Sequence, residues 1–171
     1  MGEHSIYVEW AWKTLKKYYY NGNFLEIEDN IPKELSKKAG CFVTLHRKDG
    51  SLRGCIGTIT PTKETLAEEI RDNTIASAKR DPRFPAVRKE EIDELTISVD
   101  VLGDPKKASI EELDPEEYGV IVEKGWRKGV LLPDLEGVDT VQKQLSIALR
   151  KAGISPEEDY KIYRFKVNRY H

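Results

Sequence analysis

The sequence predicts an α+β fold in which helices flank a mixed, largely antiparallel sheet. Two observations predict it: helical apolar stripes are interspersed with short β-branched runs, and hairpin signals outnumber strand–helix–strand signals. The 171 residues are 39% apolar and 34% charged, which is typical of one domain with a sizeable core and a charged surface. We therefore interpret residues 1–171 as a single domain.

Three segments have the apolar spacing of helices, and they are residues 5–20, 62–80 and 139–152. Asn21-Gly22 supplies a stop for the first helix. Pro82 ends the second, because the residue before a proline is disfavoured in a helix. Asp139 is the predicted N-cap of the third helix, and Gly153 closes it.

Six short segments have the composition of strands, and they are residues 41–47, 52–59, 95–102, 119–123, 128–132 and 161–167. Asp49-Gly50 lies between the first two and is a strong hairpin signal. We expect a two-residue turn at Asp49-Gly50. In that register the residue numbers of each pair facing each other across the two strands add up to 99. A three-residue loop would place Arg53 opposite Leu45 and mix polar with apolar side chains on one face.

The expected register gathers polar side chains on one face of the hairpin. Thr44 lies opposite Cys55 and His46 opposite Arg53, with Gly54 and Gly57 beside them. A cysteine becomes a nucleophile as its thiolate, which a nearby cation favours, and a histidine can accept its proton. The sequence therefore predicts Cys55, Arg53 and His46 as catalytic candidates.

A structural interpretation of the same residues stays open. Glycine weakens a strand, so Gly54 and Gly57 indicate a bulge or the close approach of a backbone or ligand. In the structural interpretation the glycines admit a helix, Cys55 is a small buried residue, and Arg53 pairs with an acid.

Charge, hydropathy and cysteine content argue against several classes of function. The net charge of −2 argues against a general affinity for nucleic acid, and no apolar run has the length of a membrane span. Two cysteines without a CxxC pattern suit a reducing compartment, so the expected location is the cytoplasm. Cys41, Cys55 and the histidines His4, His46 and His171 lack the spacing of metal ligands, and the sequence assigns no cofactor and no oligomeric state.

One motif carries a family resemblance. Leu52-Arg53-Gly54-Cys55-Ile56-Gly57-Thr58 resembles the signature heptapeptide of the AMMECR domain family, also called AmmeMemoRadiSam system protein A. The resemblance spans nearly the whole chain, and its other segments are 81–85, 129–133, 151–153 and 163–165.

The resemblance implies a fold, a site and partners. It implies a larger α+β part and a smaller subdomain with a cleft between them, beside the signature motif. It also implies action with a Memo-type protein related to extradiol dioxygenases and with a radical SAM protein, but no established reaction. The site residues that it implies are Arg53, Gly54, Cys55, Gly57, Asp81, Arg83 and Phe84. His46 lies outside these motifs.

The second motif, Asp81-Pro82-Arg83-Phe84-Pro85, has its own physical logic. The two prolines stiffen the chain, so that Arg83 and Phe84 are held in a fixed position. Arg83 is a candidate to bind a carboxylate or phosphate through two hydrogen bonds. The alternative is that Arg83 pairs with Asp81 while Phe84 fills the core. Asn73 and Ser77 on the preceding helix are further candidates to line the site.

Two functions follow as hypotheses. The first is an intracellular enzyme, or a component of one, with Cys55 as nucleophile or redox group and Arg53 or Arg83 holding an anionic substrate. The second is a non-catalytic binding or scaffold module for the Memo-type and radical SAM proteins. The sequence places the enzyme ahead, because an activated thiol beside a cleft favours chemistry.

Overall fold

The structure, a computed structural model, describes residues 5–171. His4, considered above as a metal ligand, lies outside the described residues. The chain divides into two compact units. The first consists of the described residues up to Val101 together with Asn168–His171, and the second is Leu102–Val167.

Among residues 5–171, four helices and eight strands are interspersed along the sequence. The helices are α1 (Ile6–Asn21), α2 (Lys33–Ser36), α3 (Leu66–Lys79) and α4 (Val141–Ala152). The strands are β1 (Cys41–Arg47), β2 (Leu52–Thr58), β3 (Leu95–Leu102), β4 (Lys106–Lys107), β5 (Gly119–Lys124), β6 (Arg127–Leu131), β7 (Lys161–Phe165) and β8 (Val167–Tyr170). Two 3₁₀ turns lie at Lys89–Glu94 and Ile110–Glu112.

The strands form two four-stranded sheets, in the orders β2-β1-β3-β8 and β4-β7-β5-β6. The pairs β1–β2, β1–β3, β4–β7, β5–β6 and β5–β7 are antiparallel. The predicted α+β class is confirmed. The predicted single strand at 161–167 is instead interrupted at Lys166, and its two pieces belong to different sheets.

Side-chain and glycine caps fix the helix ends. The Ser5 hydroxyl accepts a hydrogen bond from the Val8 N–H at 3.3 Å, and Gly22 ends α1 in the left-handed conformation at φ 70°. Gly153 closes α4 in the same way at φ 69°. The prediction that Asp139 caps α4 is wrong, because the Thr140 hydroxyl accepts from the first turn.

The β1–β2 hairpin departs from the predicted turn. The Arg47 N–H donates to the Ser51 carbonyl and the Gly50 N–H to the Arg47 carbonyl, so the loop has three residues and Gly50 is left-handed at φ 87°. His46 therefore pairs with Leu52, and the prediction that it faces Arg53 is wrong. A bulge at Arg53 restores the predicted register from Leu45 to Cys41.

The core of the first unit lies between its sheet and the helices α1 and α3. Its fully buried residues include Leu15, Val43, Leu45, Ile70 and Val99. The backbone of α3 lies so close to β2 that a Cβ atom at Gly54 would overlap the Ser77 carbonyl oxygen. Gly54 thus admits the helix, as the structural interpretation of the sequence expected.

The second unit packs α4 against its own sheet. Val120, Val122, Leu145 and Leu149 are buried in this separate core. Here Gly129 of β6 permits the close approach, because a Cβ atom there would overlap the Ala148 carbonyl oxygen of α4. The cleft implied by the family resemblance stays a prediction.

Candidate functional site

Cys55 lies half-buried on β2, directly opposite Thr44 of β1. Its thiol sulfur is 3.2 Å from the Thr44 hydroxyl oxygen. Its backbone N–H donates to Asp81 Oδ2 at 2.9 Å, and its carbonyl accepts from Arg83 Nη2 at 3.5 Å. The second motif therefore holds the backbone of the first through Asp81 and Arg83.

Asp81 and Arg83 form a pair in which the carboxylate is buried and the guanidinium is exposed. The Arg83 Nε donates to Asp81 Oδ1 at 3.0 Å and its Nη2 to Oδ2 at 2.8 Å. The exposed fractions of the two side chains are 2% for Asp81 and 56% for Arg83. The guanidinium carbon also lies 5.5 Å from the centre of the Phe84 ring, so both flanking groups fix its orientation.

A second buried aspartate holds an exposed arginine on the neighbouring strands. Asp100 of β3 accepts from Arg169 Nε at 2.8 Å and Nη2 at 3.0 Å. The exposed fractions are 4% for the Asp100 side chain and 52% for that of Arg169. Asp100 is paired with Phe42 in the register, and Ser98, two residues earlier, is paired with Thr44.

These charges and the burial of the thiol set the protonation of Cys55. Burial is the main cause that raises the pKa of the Cys55 thiol above its ordinary value. The Thr44 hydroxyl and the Arg83 charge act in the opposite direction, while Asp100 and Asp81 raise this pKa further. The thiol is therefore protonated at neutral pH and acts as a hydrogen-bonding group.

Asp81 is ionised under the same conditions. Hydrogen bonds from the Arg83 side chain are the largest cause that lowers the pKa of Asp81 far below its ordinary range. The backbone N–H groups of Cys55 and Arg83 add to this effect, although burial opposes it. Asp81 is thus a fixed negative charge that positions Arg83 and the Cys55 backbone together.

Arg53 lies apart from this arrangement. Its Nε and Nη2 donate to the two Glu91 carboxylate oxygens at 3.0 and 3.2 Å, and its Nη1 donates to the Pro85 carbonyl at 2.9 Å. Only 3% of the Arg53 side chain is exposed. The structural interpretation of Arg53 is the one that the geometry supports, because the bulge directs this cation to an acid and not to the Cys55 thiol.

His46 has no hydrogen bond to Cys55 in the part of the chain that the structure describes. It lies opposite Leu52 of β2 and Thr96 of β3. There it lines a depression of about 870 Å³ together with Ser98 and His171. The pairing of His46 with Cys55 as base and nucleophile therefore lacks geometric support.

Three further predicted residues connect the hairpin to its surroundings. The Asn73 amide nitrogen donates to the Cys41 carbonyl at 3.1 Å and to the Thr58 hydroxyl at 3.2 Å. The Ser77 hydroxyl donates to the Val43 carbonyl at 2.7 Å and accepts from the Ile56 N–H. Gly57 leaves room for the Phe42 ring. Asn73 and Ser77 are buried, so their contacts bind α3 to the sheet.

Sequence reasoning missed Glu91, Asp100 and Arg169. Asp100 carries a detectable signal, because an acid within the β-branched run Leu95–Leu102 is buried in a strand and requires a cation. Glu91 carries no such signal, since it lies among several acids of the 3₁₀ turn Lys89–Glu94. Only the three-dimensional structure shows that Glu91 binds Arg53.

Among residues 5–171, no group of three or more His, Cys, Asp or Glu side chains has the arrangement of a metal site. Over the same residues, no helix is both long enough and apolar enough to cross a membrane.

Comparison with known proteins identifies the family. The family model described as AMMECR1 matches residues 8–170. The chain belongs to the AMMECR1 family. A curated AMMECR1 relative from Thermotoga maritima is 56% identical over 173 residues, which cover 99% of both chains.

Two further relatives extend the AMMECR1 comparison. A Clostridium acetobutylicum protein is 49% identical over 170 residues, which cover 98% of this chain and 36% of the relative. This chain therefore spans about a third of that relative's length. The crystal structure of an uncharacterised protein from Pyrococcus horikoshii has a TM-score of 0.82 and 36% identity, covering 95% of this chain and 88% of that one. This chain and the Pyrococcus protein therefore have the same fold.

Proposed function

We propose that this AMMECR1-family protein is a non-catalytic recognition module that binds partner proteins through Thr44, Cys55 and Arg83, which we call the Cys55 patch. The observation that carries the proposal is the Asp81–Arg83 pair, in which a buried anion presents an exposed, oriented cation beside a neutral thiol. The geometry supports binding over chemistry.

The thiol favours recognition because it is not activated. Its pKa is raised by burial, Arg53 is bound to Glu91, and no histidine donates to it or accepts from it among residues 5–171. A protonated thiol next to the Thr44 hydroxyl offers a polarisable surface with weak hydrogen bonds.

Arg83 supplies the directional part of the patch. Its Nε and Nη2 are held by Asp81, whereas its Nη1 donates to no acceptor in the described part of the chain. Because the guanidinium is already oriented, little side-chain entropy is lost when a partner carbonyl or carboxylate accepts from it.

The expected partners are the Memo-type and radical SAM proteins that the family resemblance implies. The Clostridium relative supports an assembly of this kind, because most of its length lies outside the matched region. A domain that occurs within a longer chain lies beside other domains, so we expect this family to present a surface that binds them.

The test is size-exclusion chromatography of this chain mixed with purified Memo-type and radical SAM proteins. We expect a complex with at least one of them, which Cys55→Ser preserves and Arg83→Glu abolishes. Arg150→Glu, the same charge reversal at an exposed position of α4, is the matched control. If neither protein co-elutes, or if Arg150→Glu has the same effect as Arg83→Glu, the proposal fails.

A thiol-dependent enzyme component is the second candidate. The favourable observation is that Thr44 and Arg83 both act to lower the pKa of a half-buried Cys55. A bound substrate that strengthened these contacts would complete the activation. In a reconstituted mixture of the three proteins, this candidate requires Cys55→Ser to lose turnover while the complex remains intact.

A further inference from the structure

The second unit has a group of cations that no acid neutralises by contact. Lys106, Arg164 and Lys166 line a depression of about 480 Å³ together with Tyr118, and we call these three residues the basic cluster. None of them forms an ion pair in the part of the chain that the structure describes. Asp104, on the same lining, lies two residues before Lys106 and makes no ion pair with the three cations.

The backbone brings two of these cations face to face. Lys106 of β4 is the direct partner of Arg164 of β7, so the two side chains leave the sheet on the same side. Like charges directly opposite on neighbouring strands repel each other. Lys166, two residues beyond Arg164, adds a third positive charge, and a bound anion would offset the repulsion.

The Tyr118 ring packs against two cations of the basic cluster. Its ring centre lies 4.2 Å from the Arg164 guanidinium carbon and 5.7 Å from the Lys166 ammonium nitrogen. Its N–H donates to the Asp114 carbonyl at 2.8 Å, and its carbonyl accepts from the buried Gln144 amide at 2.8 Å. The aromatic group that orients the cations is thus itself held at both backbone groups.

Arg164 retains donors for a ligand. Its Nη1 donates to the Glu112 carbonyl at 2.6 Å, which anchors the guanidinium. Its Nε and Nη2 donate to no acceptor among residues 5–171. Hydrogen bonds from the Ser109 N–H and hydroxyl, both 3.0 Å from Glu112 Oε1, are the main cause that lowers the pKa of Glu112. The Arg164 charge is close enough to lower this pKa further, but the Glu112 carboxylate accepts no hydrogen bond from Arg164 in the described part of the chain.

We propose that the basic cluster binds a ligand bearing two linked phosphate groups. A guanidinium with adjacent available donors matches phosphate geometry, and flanking ammonium groups neutralise further oxygens. Three cations on one small surface exceed the charge of a single carboxylate. The depression is within the size range of small-molecule sites. This site is separate in residues and in chemistry from the Cys55 patch.

The test is isothermal titration calorimetry of the whole chain with inorganic pyrophosphate. We expect one site per chain, with binding that weakens as salt increases. In Lys106→Gln/Lys166→Gln, two of the three cations are removed and affinity falls about tenfold or more. Both lysines are exposed, so the variant is expected to fold, which a thermal melt in phosphate-free buffer verifies.

The matched control is Lys107→Gln/Lys161→Gln, which removes the same charge from exposed positions of β4 and β7. Its affinity for pyrophosphate should change less than about twofold, because the net charge of the chain contributes only through screened long-range interactions. An equal loss in both double variants would overturn the proposal, as would the absence of binding to the unmodified chain.

Two more titrants distinguish the sources of the phosphate. Adenosine diphosphate binding more tightly than pyrophosphate indicates a nucleotide, whereas equal affinities indicate that the phosphates alone are recognised. Either outcome supports the proposal. A short poly-glutamate that binds more tightly than both would overturn it, since the cluster would then recognise carboxylates.

Discussion

Arg53 and Arg83 belong to neighbouring motifs and each pairs with an acid, but the burial of the partners is reversed. In the Arg53–Glu91 pair the exposed side-chain fractions are 3% for the cation and 30% for the acid. In the Arg83–Asp81 pair they are 56% for the cation and 2% for the acid. The arginine is therefore buried in the Arg53–Glu91 pair and exposed in the Arg83–Asp81 pair.

This difference separates a structural role from a binding role. A buried arginine must have its hydrogen bonds satisfied within the fold, and Glu91 and Pro85 do so for Arg53. A buried aspartate instead attracts an arginine and holds its guanidinium group at the surface. Asp100 and Arg169 repeat the second arrangement, so the face that carries Cys55 is built on two buried acids.

The largest expected effect is on folding stability at Arg53. Arg53→Ala leaves Glu91 without its cation and the Pro85 carbonyl without a donor, so we expect a loss of about 3–5 kcal/mol in the free energy of unfolding. Arg83→Ala takes the cation from the buried Asp81 carboxylate but leaves it the backbone N–H donors of Cys55 and residue 83, so we expect a smaller loss of about 2 kcal/mol. Urea unfolding measures the loss of stability in both variants, and equal losses would show that the two arginines do not differ in their structural role.

An intermediate effect is expected at Asp81. Asp81→Asn removes the charge that accepts from Arg83 and Cys55, so the free energy of unfolding should fall by about 2 kcal/mol at pH 7. Because the folded-state pKa of Asp81 is lowered, its contribution is present above the ordinary aspartate pKa and is lost as pH falls toward the folded-state value.

The measurement for Asp81 is urea unfolding of both chains from pH 7 downward. The difference between the unmodified chain and Asp81→Asn should shrink steadily below about pH 4. Asp93→Asn, at an exposed position of the 3₁₀ turn, serves as control and should change stability little. A difference that stayed constant with pH would show that the Asp81 charge is not the cause.

Local signals in the sequence predict most of the elements. Gly22 and Gly153 end α1 and α4 as expected, and the hairpin at Asp49-Gly50 forms where it was predicted. These features depend on residues close in sequence, whose conformational preferences act regardless of the rest of the chain.

The bulge at Arg53 could not be predicted in this way. Its position is connected to Glu91 and Pro85, which lie more than 30 residues further along the chain. The same holds for the break at Lys166, since the strands on either side join different sheets. The expected activation of Cys55 by Arg53 lacks geometric support for this reason, because it assumed that Arg53 and Cys55 remain on one regular strand face.

The smallest expected effect is on the reactivity of Cys55. Because burial raises the pKa of the thiol, its alkylation rate should have a midpoint above the ordinary thiol pKa of about 8.5. Peptide mapping by mass spectrometry separates Cys55 from the buried Cys41, whose pKa burial raises to about 12. The unfolded chain gives the reference rate for both thiols.

Two variants assign the causes of this shift. Thr44→Val removes a hydrogen bond that lowers the pKa of Cys55, and Arg83→Ala removes a positive charge that does the same, so each should move the midpoint further upward. Neither change should alter the midpoint of Cys41. A Cys55 midpoint below the free-thiol value in the unmodified chain would reverse the comparison, because the exposed Arg83 would then activate a nucleophile and the enzyme component would become the better account of the Cys55 patch.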